Sequence, residues 1–138
     1  MLDYRTVLVV EDEPAIALEL SLVIEEFGGR VVGPVPSVSA AMDILSRQRV
    51  AAAILDANLA DRDITPVALL LASRKVPFLI HTAVGVPAEL AVALPGLPVV
   101  LKPHEPERIL VRLLAEIRRS DDGQIAIRPA QGCPPAAT

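Results

Sequence analysis

The stretch T-V-L-V-V-E-D-E-P (Thr6 to Pro14) runs five uncharged, mostly aliphatic residues straight into three acids and a proline. An apolar run without polar alternation reads as a strand buried on both faces. Pro14 then opens a segment to Phe27 with apolar residues at helical spacing, and Gly28-Gly29 supplies its stop. The same pairing repeats outward along the chain. R-V-V-G-P (Arg30 to Pro34) predicts a second strand, and Ser37 an N-cap for a helix from Val38 to about Gln48. V-A-A-A-I-L-D (Val50 to Asp56) predicts a third strand that ends on a carboxylate. After N-L-A-D-R-D, Thr65-Pro66 reads as a capping residue followed by proline at the first helical position, with the helix running to about Lys75. P-F-L-I-H-T (Pro77 to Thr82) is a fourth strand, and a short helix over Ala88 to Leu94 stops at Pro95-Gly96. P-V-V-L-K (Pro98 to Lys102) is a fifth strand, and Glu105 to Arg119 a last helix with Arg118 and Arg119 at its C-terminal end. Five strands, each followed by a helix, predict an α/β domain: a doubly wound parallel sheet with helices on both faces.

Composition narrows the function. With 138 residues, 52% of them hydrophobic, the chain has material for one domain with a full core. Aromatics are only 2%, so platforms for stacking bases or flavins are missing. Thirteen Lys+Arg against 17 Asp+Glu leave a net charge of −4, which argues against nucleic acid or an anionic membrane as partner. A single cysteine, Cys133, excludes an internal disulfide and a Cys-based zinc cluster, and reads as inert. The apolar stretch Val84 to Leu101 is interrupted by Pro87, Glu89, Pro95 and Pro98, so it predicts no membrane span. No targeting segment is visible, and a soluble cytoplasmic protein is expected. The domain is expected over residues 1–120. A Pro-containing tail over 121–138 is expected to be disordered, or to add an edge strand through Q-I-A-I-R (Gln124 to Arg128).

In an open parallel sheet, ligands bind beyond the carboxyl ends of the strands, where strand order reverses. The residues there are Glu11-Asp12-Glu13, Asp56, Thr82 and Lys102. Singly, each has a bland explanation: helix-terminus charge, a turn residue, a β-former, a surface lysine. Together they form a set. Clustered carboxylates call for a cation, and Mg²⁺ takes such oxygen ligands. An Asp carboxylate is a competent nucleophile toward phosphorus, and an ammonium and a hydroxyl neutralise the charge that builds on the phosphoryl oxygens. His81, alternating with Thr82, reads as packed or partly exposed rather than as a base, and His104 as a surface residue.

V-L-V-V-E-D-E-P, I-L-D-A-N-L, I-H-T-A and V-V-L-K-P, in this order, resemble the receiver domain of two-component response regulators, from Arg5 to about Arg119. The resemblance implies a flavodoxin-like (βα)5 fold with strand order 2-1-3-4-5 and a short or irregular fourth helix. It implies Asp56 as phosphoacceptor and Mg²⁺ held by Glu11, Asp12, Asp56 and the backbone carbonyl of Asn58. Thr82 and Lys102 would contact the phosphoryl group, with a cis peptide between Lys102 and Pro103. The implied partners are a sensor histidine kinase or a phosphotransfer protein, and the implied output is protein contact rather than nucleic-acid or membrane binding. Such a domain is not an enzyme beyond its own phosphorylation and dephosphorylation.

Several positions depart from the family pattern. Val99 stands where family members carry a Tyr or Phe switch, and the D-R-D-I-T-P segment replaces the usual glycine after the acceptor loop. V-P-F-L-I-H-T-A-V-G is similar to a stand-alone subgroup whose fourth strand reads P-F-x-F-A-T-G-Y-G, often served by kinases of the HWE and related classes. Pro77, Phe78, Thr82 and Gly85 match it; Ile80, His81, Ala83 and Val84 do not. The alternatives are a pseudo-receiver that binds partners without phosphorylation and a small acyl-phosphate phosphatase, although the second D of a D-x-D motif is replaced by Asn58. The segment Ala83 to Leu97 is too apolar for a short helix to bury, which marks it as a surface for a protein target or a second copy, together with the last helix.

Overall fold

The computed structural model describes residues 2–123. Five strands, β1 (Thr6–Val10), β2 (Arg30–Val35), β3 (Ala52–Asp56), β4 (Phe78–Thr82) and β5 (Val99–Leu101), form one parallel sheet in the order β2-β1-β3-β4-β5. Five helices alternate with them: α1 (Pro14–Glu26), α2 (Val38–Arg47), α3 (Thr65–Ser73), α4 (Ala88–Ala93) and α5 (Pro106–Asp121). The expected architecture and strand order are both present, and α4 is the short helix anticipated. The expected edge strand over Gln124 to Arg128 lies outside the described residues, as does Cys133.

Strand alternation divides the core into two. Leu8, Val10, Ala53, Leu55, Phe78 and Ile80 pack on the side covered by α2, α3 and α4. Val7, Val9, Ile54, Leu79 and Val100 face α1 and α5, against Leu20, Ile24, Ile109 and Leu113. Every residue of β3 and β4 is buried, which is why those runs show no polar alternation. Leu2, outside any strand, is fully buried in the second core, and its N–H donates to the Phe27 carbonyl at 2.8 Å.

Local signals set the element ends. α1 stops because Gly28 takes φ +83°, with its N–H on the Glu25 carbonyl and the Gly29 N–H on the Ile24 carbonyl. Ser37 caps α2 by accepting the Ala40 N–H at 3.1 Å. Thr65 does not cap α3. It is the first helical residue and buried, and the Asp63 carboxylate accepts its N–H at 2.9 Å, so the cap lies two residues earlier than the sequence suggests. In β2, Gly33 sits at a register shift against β1; a Cβ there would lie 2.9 Å from the Val35 nitrogen and 3.1 Å from the Val9 carbonyl oxygen. The Gly33–Pro34 and Lys102–Pro103 peptides are cis, the second as the family resemblance implies.

Candidate functional site

β1 ends at the switch point between its two outward connections, and the chain there turns from Val10 to Glu11 and Asp12. Glu11 is a continuation of the Val7-Val9 face and is 4% exposed; Asp12 points outward into solvent. The neighbouring strand β3 delivers Asp56, 7% exposed, to the same rim. One carboxylate oxygen from each of Glu11, Asp12 and Asp56 lies within 4.8 Å of the others. These are hard oxygen donors at a spacing that a cation such as Mg²⁺ bridges.

Lys102 enters from the far side, positioned by its own backbone N–H on the Thr82 carbonyl at 2.7 Å. Its ammonium lies 3.0 Å from Glu11 Oε1 and 3.5 Å from Asp56 Oδ2. The second Glu11 oxygen accepts the Glu13 N–H at 3.1 Å, and Asp56 Oδ1 accepts the Asn58 N–H at 3.4 Å. Burial pushes the Glu11 carboxyl up to about 7, against the pull of Lys102, and the nearby Asp56 charge adds to the rise. Burial raises Asp56 as well, with Asp12 adding repulsion. Burial alone would lower Lys102, but the bond to Glu11 and the charges of Glu11 and Asp56 outweigh it and hold the ammonium above the usual lysine range. One cation therefore serves two buried carboxylates.

The loop after Asp56 is held by its own acids. Leu59 N–H donates to the Arg62 carbonyl and Ile64 N–H to the Ala57 carbonyl, with an antiparallel bridge between Asn58 and Asp63. At its tip, Asp61 reaches across to α2 and accepts the N–H groups of Val38 and Ser39 at 3.1 and 3.0 Å, which lower its pKa. With Ser37 on Ala40, the first three N–H groups of α2 are all satisfied, and the loop carrying Asn58 is tied to that helix.

Of the residues singled out by sequence, Glu11, Asp12, Asp56 and Lys102 converge, and Asn58 borders them. Thr82 does not reach the carboxylates. Its hydroxyl donates to the Gly85 carbonyl at 3.1 Å and accepts the Val84 N–H at 3.3 Å, closing the turn that leads to α4. His81, read from the sequence as packed or partly exposed, is packed. By alternation with Leu79 it faces the α1–α5 side, the side of Asp56 and Lys102, and it is buried there.

No family model matches the sequence, and no curated protein does. Solved structures do. SdrG from Sphingomonas melonis Fr1 is 34% identical, with 83% of this chain and 99% of that chain covered and a TM-score of 0.67. SdrG in its BeF3-activated conformation is similar at a TM-score of 0.64, again 34% identical, with 83% and 97% covered. The receiver domain of the sensor histidine kinase PA1611 from Pseudomonas aeruginosa PAO1 has magnesium coordinated in its active-site cleft. It is 23% identical, with 83% and 98% covered and a TM-score of 0.70. Likeness to SdrG along nearly its whole length, on a sheet of order 2-1-3-4-5 with acids at the switch point, leads to one conclusion: the chain belongs to the receiver-domain family of response regulators.

Proposed function

We propose that this receiver accepts a phosphoryl group on Asp56 in a Mg²⁺-dependent reaction and passes the signal on by protein contact. The observation that carries the reading is the buried Asp56 carboxylate with Glu11 and Asp12 on one side and the Lys102 ammonium 3.5 Å away on the other. An Asp56 oxygen forms the new bond to phosphorus while the donor, a phosphohistidine or a small acyl phosphate, leaves with the electron pair of the broken one. Glu11, Asp12, Asp56 and the Asn58 carbonyl are the residues that would hold Mg²⁺, which when bound would offset charge on the phosphoryl oxygens. Lys102, already paired with Asp56, would turn its ammonium to the phosphoryl group. Thr82 reaches it only by giving up the Gly85 carbonyl, which couples the site to the α4 segment.

The proposed donor is a sensor histidine kinase or a phosphotransfer protein, and the proposed setting is the cytoplasm. A stand-alone receiver of the P-F-x-F-A-T-G-Y-G type is supported by the matching Pro77, Phe78, Thr82 and Gly85. The proposed domain spans residues 1–120, with 121–138 as a tail. No helix among the described residues is long and apolar enough to cross a membrane. Incubation with acetyl phosphate and Mg²⁺, read by intact mass, tests the proposal. A single phosphoryl adduct, lost in Asp56→Asn, is expected. Rapid turnover of donor without an adduct would indicate a phosphatase, and no reaction at all a pseudo-receiver.

A further inference from the structure

The β3–α3 loop is hydrogen-bonded to α2 through one side chain. Among the described residues, the hydrogen bonds of Asn58 to Asp63 otherwise stay within the segment from Asp56 to Thr65. Asp61 is the exception: its Oδ1 accepts the Val38 N–H at 3.1 Å and its Oδ2 the Ser39 N–H at 3.0 Å. α2 does not need this partner in order to begin. Ser37 already caps it on the Ala40 N–H, and Ser39 is exposed, where water would serve its N–H as well. The bonds therefore fix the loop more than they fix the helix. Asp61 also falls in the D-R-D-I-T-P segment, which departs from the family pattern, and it stands outside the cluster of Glu11, Asp12 and Asp56.

We propose that Asp61 is a positioning residue for the cation site: bonded to α2 from the loop tip, it keeps the Asn58 carbonyl in place for Mg²⁺ and couples that site to the N-terminus of α2. The inference rests on the reading that Asn58 and the three acids hold Mg²⁺. The path between the two residues is short. Asp61 follows Asn58 by three positions, and the loop is stiffened by the Asn58–Asp63 bridge and by the Leu59 N–H on the Arg62 carbonyl at 3.2 Å. Mg²⁺ accepts little departure from octahedral geometry, so a carbonyl ligand that drifts is a ligand lost. A carboxylate suits the task, since each oxygen takes one N–H and its charge faces the positive end of the helix. Coupling of this kind runs both ways: whatever Asp61 adds to Mg²⁺ affinity, Mg²⁺ must add to the bonds between Asp61 and α2. The site thus acquires a route to α2, distinct from the route to α4 through Thr82 and Gly85.

Amide NMR of the full chain, titrated with MgCl2, tests the coupling in the parent and in Asp61→Ala, Asp61→Asn and Ser37→Ala. Asp61→Ala should weaken Mg²⁺ binding by about fivefold or more, and Asp61→Asn, which keeps one acceptor oxygen, should fall between it and the parent. Ser37→Ala weakens the same helix end without touching the loop, and should leave the Mg²⁺ constant unchanged. Before any Mg²⁺ is added, the Leu59 amide should exchange severalfold faster in Asp61→Ala than in the parent. Saturation with Mg²⁺ should slow exchange at Val38 and Ser39 in the parent and not in Asp61→Ala. An unchanged Mg²⁺ constant in a folded Asp61→Ala overturns the proposal. Equal weakening by Ser37→Ala overturns it too, since helix stability alone would then be at work. Should Asp61→Ala fail to fold, Asp61→Asn against Ser37→Ala decides on the same terms. In each of these cases a parent that binds Mg²⁺ and is labelled on Asp56 leaves the phosphoryl-acceptor reading standing, whereas a parent that binds no Mg²⁺ overturns both.

Discussion

The Lys102 ammonium is closer to Glu11, at 3.0 Å, than to Asp56, at 3.5 Å. The lysine thus holds a carboxylate of the acidic pair as firmly as it holds the proposed acceptor. Lys102→Met removes the only cation paired with either carboxylate among the described residues. Breaking a buried pair costs on the order of 3 kcal/mol, less whatever the carboxylates recover by taking up protons. The loss should therefore be larger at pH 8 than at pH 5. Urea denaturation at both values measures it, and an equal loss at both would remove Lys102 from the role of counter-ion.

Asp56→Asn removes one of two buried acids that crowd each other. The variant should melt at the same temperature as the parent or higher without Mg²⁺, while losing all labelling by acetyl phosphate. Intact mass and thermal denaturation read the two effects. Persistent labelling on another carboxylate would move the acceptor.

Asp12 and Glu11 are not equivalent toward a cation. Both Glu11 oxygens are engaged, by Lys102 and by the Glu13 N–H, whereas the Asp12 carboxylate makes no hydrogen bond or ion pair among the described residues. Asp12→Asn should weaken Mg²⁺ binding more than Glu11→Gln, by about tenfold (about 1.4 kcal/mol) against a few-fold, since the free Asp12 carboxylate is the more available oxygen donor. Titration of amide shifts with MgCl2 gives both constants. If neither variant weakens binding, the acids serve only the helix terminus.

The pH dependence of stability contains two opposed effects. Glu11 is raised from 4.5 to about 7, so from pH 4.5 to 7 the folded chain holds a proton that the unfolded chain has released, and stability falls as pH rises. Asp56, raised by the same burial, adds to that fall. His81 is lowered from 6.5 to about 4, so between those values the unfolded chain is the one that holds the proton, and stability is lost as pH falls. Between pH 4.5 and 6.5 they offset each other, each with a slope of up to about 1.4 kcal/mol per pH unit for one proton. Without Mg²⁺, Glu11→Gln should turn the profile upward with pH relative to the parent, and His81→Leu should turn it downward. Identical profiles for the two variants would contradict the assignment.

The Thr82 hydroxyl closes on the Gly85 carbonyl, while Val84 and Val92 are 83% and 73% exposed on either side of the turn and α4. With Val99 in place of an aromatic switch, signal output should run through this segment. Addition of beryllofluoride and Mg²⁺ should change hydrogen-exchange protection over Ala83 to Leu97. Changes elsewhere with none here would sink the idea.

Most of the fold was legible because strands buried on both faces leave unbroken aliphatic runs, and prolines and glycines mark the turns between them. Glu11, Asp12, Asp56 and Lys102 were legible for a related reason: each follows a strand, and parallel strands bring their C-terminal ends to one rim. What escaped depends on contacts distant in sequence. Leu2 belongs to no periodic run, yet its N–H docks on Phe27 and its side chain fills the core. Asp61 looks like one more loop acid until the fold brings it to the N-terminus of α2.

The two borders of the sheet bear on how the protein can associate. β2 carries the Gly33 register shift and Pro34, which has no N–H to offer, and β5 is only three residues long. An incoming strand needs a straight, unoccupied ladder of backbone groups, and neither border presents one. Strand addition, with its affinity for many unrelated extended peptides, is thereby discouraged at both ends. Recognition is left to helices and loops, where side chains rather than main chain discriminate between partners.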